Sequence, residues 1–346
     1  MTNVRLGIRL GAVRCATLFG VLTIGVLGLG LIGGSLLRAL AAAGHTTRGY
    51  DASAETRTTA AAEGWQIADS VAEAATGTDL VFLAVPLPAV ADVLDQLGGY
   101  AGIVSDVTSV KAPVADLVAT RLPGARHVGG HPMAGKESSG FAASDPSLFN
   151  GCAWALTIHS PPDRATAGQA SAGLEDWGTV AELVTALGAR VVPVTAAEHD
   201  AAVARISHLP HLVANPIAAT GTGLAATLAA GSYRDGTRVA ASAPALVAAM
   251  CGGNAMALHG AVDQLVADLT EARRRLDTAD PIAELTEWLA PGHTARVAWP
   301  PAAGPPESID VSAGALLALG RDGGWLTGIA ADRRRATAER PVAAGR

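Results

Sequence analysis

The sequence predicts an α/β domain built on a doubly wound parallel sheet, followed by an all-α domain. Across residues 21–195 short apolar runs alternate with helical patterns, which is typical of parallel strands joined by helices. From Ala196 to about Asp280 the pattern is helical, and Ala, Leu and Val dominate it. Helices as apolar as these must be buried on several sides, either within the domain or against a second subunit.

The first strand is predicted over residues 22–27, and a glycine-rich loop follows it directly. This loop has the pattern G-x-G-x-x-G and consists of Gly28, Leu29, Gly30, Leu31, Ile32 and Gly33. Gly28 permits a tight turn, Gly30 leaves room for a pyrophosphate, and Gly33 lets the next helix pack closely on the strand. That helix is expected to end near Ala43, and the free N–H groups of its first turn would face the phosphates.

A second strand over Thr46–Tyr50 leads to Asp51, which lies 18 residues after Gly33. An acid at this point can accept hydrogen bonds from the ribose hydroxyls of the adenosine. It would repel a 2′-phosphate, so NAD is favoured over NADP as the cofactor. The order of strand, glycine loop, helix, strand and acid predicts a Rossmann-type dinucleotide site.

Three more strands of the same sheet are predicted at 80–85, Ile103–Asp106 and 127–128. In open parallel sheets, ligands bind beyond the carboxyl ends of the strands. We therefore expect Val85 and Pro86 to line the cofactor crevice, together with residues 106–109 and 131–135, which follow the later strands.

Two further strands, at 153–158 and 189–195, complete the expected NAD-binding domain. Between them the sequence predicts a polar surface loop over 161–176 and a helix over 179–187.

Beyond the helical domain of residues 196–280, prolines recur and the pattern changes. Residues 281–330 are predicted to form a small C-terminal module with short strands at 309–311 and Trp325–Ile329. We expect residues 331–346 to be a disordered tail and residues 1–20 a disordered extension.

Composition excludes several classes of function. The chain has 346 residues, a net charge of −6 and only 16% charged residues, so a nucleic-acid partner is not expected. Cys15, Cys152 and Cys251 show neither metal-ligand spacing nor a disulfide framework, which favours the reducing cytoplasm and no bound metal. No apolar stretch predicts a membrane partner.

Four segments are more specific than the glycine loop alone: GLGLIGGS, DVTSVK, GGHPMAG and SHLPH. Taken together and in this order, they resemble the prephenate dehydrogenase family, which includes the arogenate dehydrogenases. The resemblance covers about residues 22–280. It implies a Rossmann-type domain and a helical domain through which two copies form a homodimer. It also implies an NAD-dependent oxidation of the ring hydroxyl of prephenate, with loss of the ring carboxylate as carbon dioxide, in tyrosine biosynthesis.

The resemblance assigns roles to five residues. His131 matches the catalytic histidine, and a neutral imidazole is a suitable base for the hydroxyl proton near pH 7. Ser109 matches a serine near that histidine and the nicotinamide, and it lies at an expected helix start. Arg238 matches the arginine that binds a substrate carboxylate. His211 and His199 match two further histidines of the substrate site.

Some alternatives stay open. Residues 243–247 lack the acid and the aromatic residue common in the family, which leaves open how the side-chain end of the substrate is held. Arogenate, which has an ammonium where prephenate has a ketone, is the alternative substrate. A non-catalytic NAD-sensing protein of the same fold is another hypothesis. A β-hydroxyacid dehydrogenase would need a helical GxxxK segment, which is missing after the first domain. Lys111 could contact the cofactor or substrate, or could be a solvated helix lysine.

Overall fold

The computed structural model describes residues 20–158 and 167–342, with side chains described from residue 173 in the second range. The extension expected over residues 1–20 therefore lies outside the described residues, except for Gly20.

Five parallel strands form the first sheet, in the order β2-β1-β3-β4-β5. The strands are β1 Thr23–Leu27, β2 Thr46–Tyr50, β3 Leu80–Leu83, β4 Ile103–Asp106 and β5 Arg126–Val128. The helices between them are α1 Leu31–Ala42, α2 Ala54–Ala62, α3 Val71–Ala75, α4 Leu87–Gln96 and α5 Ala112–Arg121. Each of these strands lies within two residues of its prediction, so the parallel sheet is confirmed. Successive strands are added on one side of β1 up to β2 and on the other side from β3 onward, so the strand order reverses between β1 and β3. Open sheets of this kind bind their ligands at that point.

A second, mixed sheet continues the domain. It begins with β6 Gly130–Pro132 and β7 Ala153–Thr157, followed by helix α6 Ala167–Ala186 and strand β8 Arg190–Val194. β6 and β7 are antiparallel, and β7 and β8 are parallel. The surface loop expected over 161–176 is wrong from Ala167 onward, because α6 already begins there.

The helical part of the chain follows β8 and extends further than predicted, because α13 ends at Val297 rather than near Asp280. Its helices are α7 Ala196–Val203, α8 Leu209–Ala219, α9 Leu224–Leu228, α10 Gly231–Thr237, α11 Pro244–Gly253, α12 Ala255–Leu276 and α13 Pro281–Val297. A π-helical turn, Ala204–His208, joins α7 to α8, and a 3-10 turn, Arg238–Ala241, follows α10. Within the described ranges no single helix is long and apolar enough to cross a membrane; only α11 and α12 taken together, with a bend of 96° between them, reach that length and composition.

The C-terminal segment joins the second sheet instead of standing apart from it. β9 Glu307–Asp310, α14 Ala313–Arg321, β10 Trp325–Ile329 and β11 Arg335–Glu339 give the sheet order β6-β7-β8-β10-β11-β9. Ala336 and Ala338 on β11 are 2% and 0% exposed, so the disordered tail expected over 331–346 is wrong where β11 forms. Residues 343–346 lie outside the described part of the chain.

One hydrophobic core connects the two sheets. Ile24 and Phe82 of the first sheet belong to the same buried cluster as Trp154, Trp177 and Leu326 of the second sheet and α6. The two sheets therefore form one structural unit, and the loops at the carboxyl ends of the first sheet are held on a rigid base.

Candidate active site

The glycine loop after β1 has the shape that a pyrophosphate needs. Gly28 has φ +96°, and a Cβ on it would lie 2.4 Å from the carbonyl oxygen of Ala84. A Cβ on Gly33 would lie 1.9 Å from the carbonyl oxygen of Gly28. A Cβ on Gly30, in contrast, would meet nothing within 4 Å. Two glycines are thus required for packing, and the third leaves an open approach to the backbone.

The start of α1 is equally suited to an anion. Gly30 is the N-cap of α1 and offers no side chain to the first-turn N–H groups. Leu31 and Ile32 are half-buried at this turn, so their predicted part in cofactor binding would be through the backbone. The Leu29 side chain is fully buried, and its N–H donates to the Asp51 carboxylate at 2.7 Å.

Asp51 lies at the end of β2, beside the glycine loop. Its Oδ2 accepts the hydrogen bond from Leu29, and its Oδ1 accepts one from the N–H of Ser53 at 2.8 Å. A carboxylate has further lone pairs for the ribose hydroxyls. Val85 flanks the same loop, with its Cγ1 3.0 Å from where a Cβ of Gly28 would be, and Pro86 is the exposed N-cap of α4. The structure therefore brings the predicted cofactor residues together, and they fit a dinucleotide.

A chain of two histidines and an aspartate lies at the other side of the crevice. His131 is on β6 and is 9% exposed. Its Nδ1 is 2.9 Å from Nε2 of His199, and Nδ1 of His199 is 2.7 Å from Oδ1 of Asp200. Both His199 and Asp200 are on α7 and are buried.

The hydrogen bonds of this chain determine which nitrogens carry protons. Burial alone would raise the pKa of Asp200, but the hydrogen bonds from His199 and from two backbone N–H groups lower it below its ordinary value. Asp200 is therefore a carboxylate and can only accept, so Nδ1–H of His199 donates to it. Nε2 of neutral His199 must then accept from Nδ1–H of His131. This leaves Nε2 of His131 with a free lone pair, as a general base requires.

Both histidines are neutral at pH 7. Burial lowers the pKa of His131 well below its ordinary value, and the nearby His199 and Lys111 add to this effect. Burial also lowers the pKa of His199, although its hydrogen bond to Asp200 opposes the change. A neutral imidazole at position 131 can take up a proton, whereas an imidazolium could not.

Asp200 also holds the start of α5, a role that the sequence analysis missed. Its Oδ1 accepts from the N–H of Lys111 at 2.8 Å, and its Oδ2 accepts from the N–H of Ala112 at 2.9 Å. The only local signal was its place directly after His199. The helix start expected at Ser109 is wrong, because α5 begins at Ala112 and Lys111 is its N-cap. Ser109 lies half-buried in the turn between β4 and α5.

The DVTSVK segment forms a buried ion pair. Nζ of Lys111 donates to Oδ1 of Asp106, and the two side chains are 1% and 0% exposed. Thr108 donates to the same Oδ1 through its hydroxyl at 2.5 Å, and Nε2 of His127 is 3.3 Å from Oδ2. Burial would raise the pKa of Asp106, but Lys111 and His127 hold it well below its usual range. The interpretation of Lys111 as a solvated helix lysine is wrong.

The remaining predicted histidine lies on the helical side. His211 on α8 is half-buried, and its Nδ1–H donates to the carbonyl oxygen of Ser207 at 2.9 Å, which leaves its Nε2 available to another partner. His208 is fully buried, and burial lowers its pKa to about 4. Nδ2 of Asn254 is 3.0 Å from Nδ1 of His208 and donates to the carbonyl oxygen of Asp200 at 2.8 Å. Asn254 thereby ties the junction of α11 and α12 to α7, which carries His199 and Asp200.

Arg238 is exposed at the start of its 3-10 turn. Within residues 20–158 and 167–342 no hydrogen bond or ion pair connects Arg238 to the His131 chain. The same part of the chain has no group of three or more His, Cys, Asp or Glu arranged to hold a metal ion.

Two family models match the chain in succession. The nucleotide-binding domain of prephenate dehydrogenase matches residues 36–192, and the dimerization domain of prephenate dehydrogenase matches residues 195–291. The chain belongs to the prephenate dehydrogenase family. The enzyme is accordingly an NAD-dependent dehydrogenase, with a Rossmann-type domain followed by a helical dimerisation domain.

Individual relatives agree with this assignment. The enzyme is 34% identical to the cyclohexadienyl dehydrogenase of Zymomonas mobilis over 271 residues, which are 74% of this chain and 89% of that one. A crystal structure of a candidate prephenate dehydrogenase from Corynebacterium glutamicum is similar at a TM-score of 0.74 and 39% identity, covering 81% of this chain and 90% of that one. The prephenate dehydrogenase of Aquifex aeolicus, solved with hydroxyphenyl propionate and NAD⁺, has the same fold at a TM-score of 0.71 and 24% identity, covering 81% and 98%.

Proposed function

We propose that the enzyme oxidises prephenate to 4-hydroxyphenylpyruvate with NAD⁺, releasing carbon dioxide, and that His131 is the general base. The observation that supports this most strongly is the chain Asp200–His199–His131, which leaves Nε2 of His131 as a proton acceptor. A dehydrogenation of an alcohol needs such an acceptor, because the hydroxyl must lose its proton as the hydride leaves.

In this proposal the glycine loop and Asp51 hold the dinucleotide, and bound NAD⁺ supplies the acceptor for the hydride from the ring carbon. Nε2 of His131 takes the hydroxyl proton. The positive charge that then develops on the imidazole is stabilised through His199 by the Asp200 carboxylate. Loss of carbon dioxide needs little acid–base help, because it makes the ring aromatic.

The substrate is a dianion, and three polar groups are proposed to bind it. The exposed guanidinium of Arg238 is suited to a bidentate contact with a carboxylate. The hydroxyl of Ser109 can donate a further hydrogen bond, and the Nε2 edge of His211 is proposed as the third polar contact. His199 is assigned a different role from the one first expected, because it is buried between His131 and Asp200 and acts through His131.

Arogenate is the alternative substrate. It has an ammonium where prephenate has a ketone, so it would need a carboxylate near that end of the site. Residues 243–247, where the family commonly has an acid, contain no carboxylate for that ammonium, and kinetics on both compounds decide between the two substrates.

The proposal also includes the oligomeric state. We propose a homodimer through the helical domain, because large apolar side chains there are exposed to solvent. Those that are 69–91% exposed are Ile206, Leu224, Leu228, Met256, Ile282 and Val297.

We further propose that the enzyme is cytoplasmic. Cys152 and Cys251 are free thiols, which is consistent with a reducing compartment.

The decisive experiment follows NADH formation with prephenate and then with arogenate. The wild-type enzyme should turn over prephenate at the higher kcat/KM. His131→Asn should bind NAD⁺ normally and lose roughly 10²–10⁴-fold in kcat, the usual contribution of a general base. If wild type and variant are equally inactive on both substrates while both bind NAD⁺, the NAD-sensing hypothesis is favoured instead.

A further inference from the structure

The two lysines of this chain occupy opposite environments. Arginine supplies 23 of the 25 basic residues, and lysine supplies only Lys111 and Lys136. Lys136 is on the surface and pairs with Asp145 at 2.7 Å. Lys111 is 1% exposed and is the only buried Lys or Arg among the residues that the structure describes. Burying a charge is costly, so its contacts are of interest.

The ammonium of Lys111 reaches the strand that carries the proposed base. Besides Asp106, Nζ donates to the hydroxyl of Thr108 at 3.0 Å and to the carbonyl oxygen of Gly130 at 2.5 Å. Gly130 directly precedes His131 on β6. The side chain of Lys111 therefore fixes the peptide unit next to the base.

The backbone of Lys111 reaches the other partner of that base. Its N–H donates to Oδ1 of Asp200 at 2.8 Å, and the same oxygen is hydrogen-bonded to His199. One residue thus contacts both ends of the chain: the strand of His131 through its ammonium and the carboxylate of Asp200 through its amide.

The contact at Gly130 is built tightly. A Cβ on Gly130 would lie 2.6 Å from the carbonyl oxygen of Asp106 and 2.9 Å from Nε1 of Trp154. β6 therefore packs closely against the end of β4, next to the carboxylate that pairs with Lys111. A shift of this peptide would move the imidazole of His131.

We propose that Lys111 is a positioning residue for the reaction: it holds His131 in register with His199 and Asp200, and does not itself touch the substrate. This rests on the proposed function. It accounts for a buried lysine in DVTSVK that no step of the mechanism uses directly.

The electrostatic surroundings decide how the proposal is tested. His131 is faced by His199 and His208 from the helical side and by Lys111 and Asp106 from the end of β4. Lys111 lowers the pKa of His131, and Asp106 raises it. Removing Lys111 alone would leave Asp106 buried without its partner, so loss of activity could reflect misfolding. The double substitution Asp106→Asn with Lys111→Met removes both charges together, so neither is left buried without its partner.

The first measurement compares kcat and KM. The double variant should bind NAD⁺ and unfold near the wild-type Tm, with kcat lower by about 10²-fold, the scale of a misplaced reacting group, and KM within about threefold. Asp106→Asn alone leaves Lys111 buried without its carboxylate, so its Tm is measured first. A folded Asp106→Asn variant should retain much more of kcat, because the amine of Lys111 can still donate to Gly130. Lys136→Met should be indistinguishable from wild type. A folded double variant with a kcat within twofold of wild type would overturn the proposal, as would a loss confined to KM.

The second measurement does not depend on turnover. In ¹⁵N-histidine spectra assigned with His131→Asn, the wild-type ring should show a protonated Nδ1 and an unprotonated Nε2. The double variant should show a mixture of both tautomers at the same pH. An unchanged spectrum in the double variant would count against the positioning role, whether or not the wild type is active. A wild type that turns over neither substrate would refute only the proposed reaction.

Discussion

His131 and His199 have both lost the water that would stabilise their charged forms, and this determines what they can do. Their pKa values are lowered, chiefly by burial, so the pair is neutral at pH 7. The carboxylate of Asp200 then sets the direction of both ring hydrogen bonds. His131 is thus made a base by the orientation of its lone pair at Nε2. A raised pKa would have required a negatively charged partner in direct contact with its ring.

Substitution of the carboxylate tests this argument at the level of one residue. Asp200→Asn removes the negative charge that stabilises the imidazolium of His131, and its NH₂ cannot accept from the backbone N–H groups of Lys111 and Ala112. Where the NH₂ lies at the Oδ1 position, it faces Nδ1 of His199, so the proton of that ring moves to Nε2 and the productive tautomer of His131 is disfavoured. We expect kcat to fall by on the order of 10²-fold or more with NAD⁺ binding retained. Stopped-flow or steady-state NADH formation measures the change. Asp116→Asn, on the exposed face of α5, is the matched control and should leave kcat unaltered.

The pH profile of the wild type belongs to the same test. Since the pKa of His131 lies below its ordinary value of 6.5, kcat/KM should stay level from pH 8 to 6.5 and fall only at lower pH. An acid limb with its midpoint above 6.5 would contradict the assignment of His131 as the base.

Residues whose place in the site could be predicted lie close in sequence to their partners, whereas the others have partners far away in the sequence. Asp51 and the glycines form one short local pattern, so their placement beside each other could be predicted from the sequence alone. Asp200 and the N–H of Lys111 are 89 residues apart, and Asn254 and Asp200 are 54 residues apart. A single sequence contains no local sign that such pairs meet. Lys111 has the polarity of a surface residue, and only the fold reveals its burial.

Secondary-structure elements show the same division. β1 and β3 in the middle of the first sheet are short apolar runs, and β3 is buried at every position, so their local pattern was sufficient. The second sheet depends on pairings between distant segments, such as Leu326 with Val191. Its edge strand β6 has only three residues, Gly130–Pro132, which is too short for any periodicity. The C-terminal strands therefore looked like a separate module and a tail.

Their role in the common core can be measured. Leu326 on β10 is fully buried in the cluster that includes Trp154, so Leu326→Ala should lower the free energy of unfolding by about 2–5 kcal/mol. Thr327→Ala, at the next position and exposed on the other face of β10, should change it by less than about 0.5 kcal/mol. Urea unfolding followed by tryptophan fluorescence provides both values. Equal small effects would mean that the C-terminal segment is not part of the folding unit.

At the scale of the whole molecule, exposed apolar surface is distributed unevenly. Most of the large apolar side chains that are more than half exposed lie between Ile206 and Trp299, whereas Val21 and Val342 are the examples in the rest of the described chain. Isolated apolar residues on a surface are ordinary, but a concentration in one domain marks an interface. The match of this region to a dimerization domain supports the proposed homodimer.

Charge placed on that surface should therefore separate the subunits. Met256 and Ile282 are 91% and 80% exposed, so aspartates at both positions would leave the monomer folded but would be buried without partners in a dimer. In sedimentation velocity we expect the wild type at about twice its 34.7 kDa chain mass and the double variant at the single chain mass. Val21→Asp introduces the same charge at a 65% exposed site of the first domain and should remain dimeric. A wild type that sediments as a single chain at micromolar concentration would refute the homodimer, and a double variant that stays paired would place the interface on another face of the helical domain.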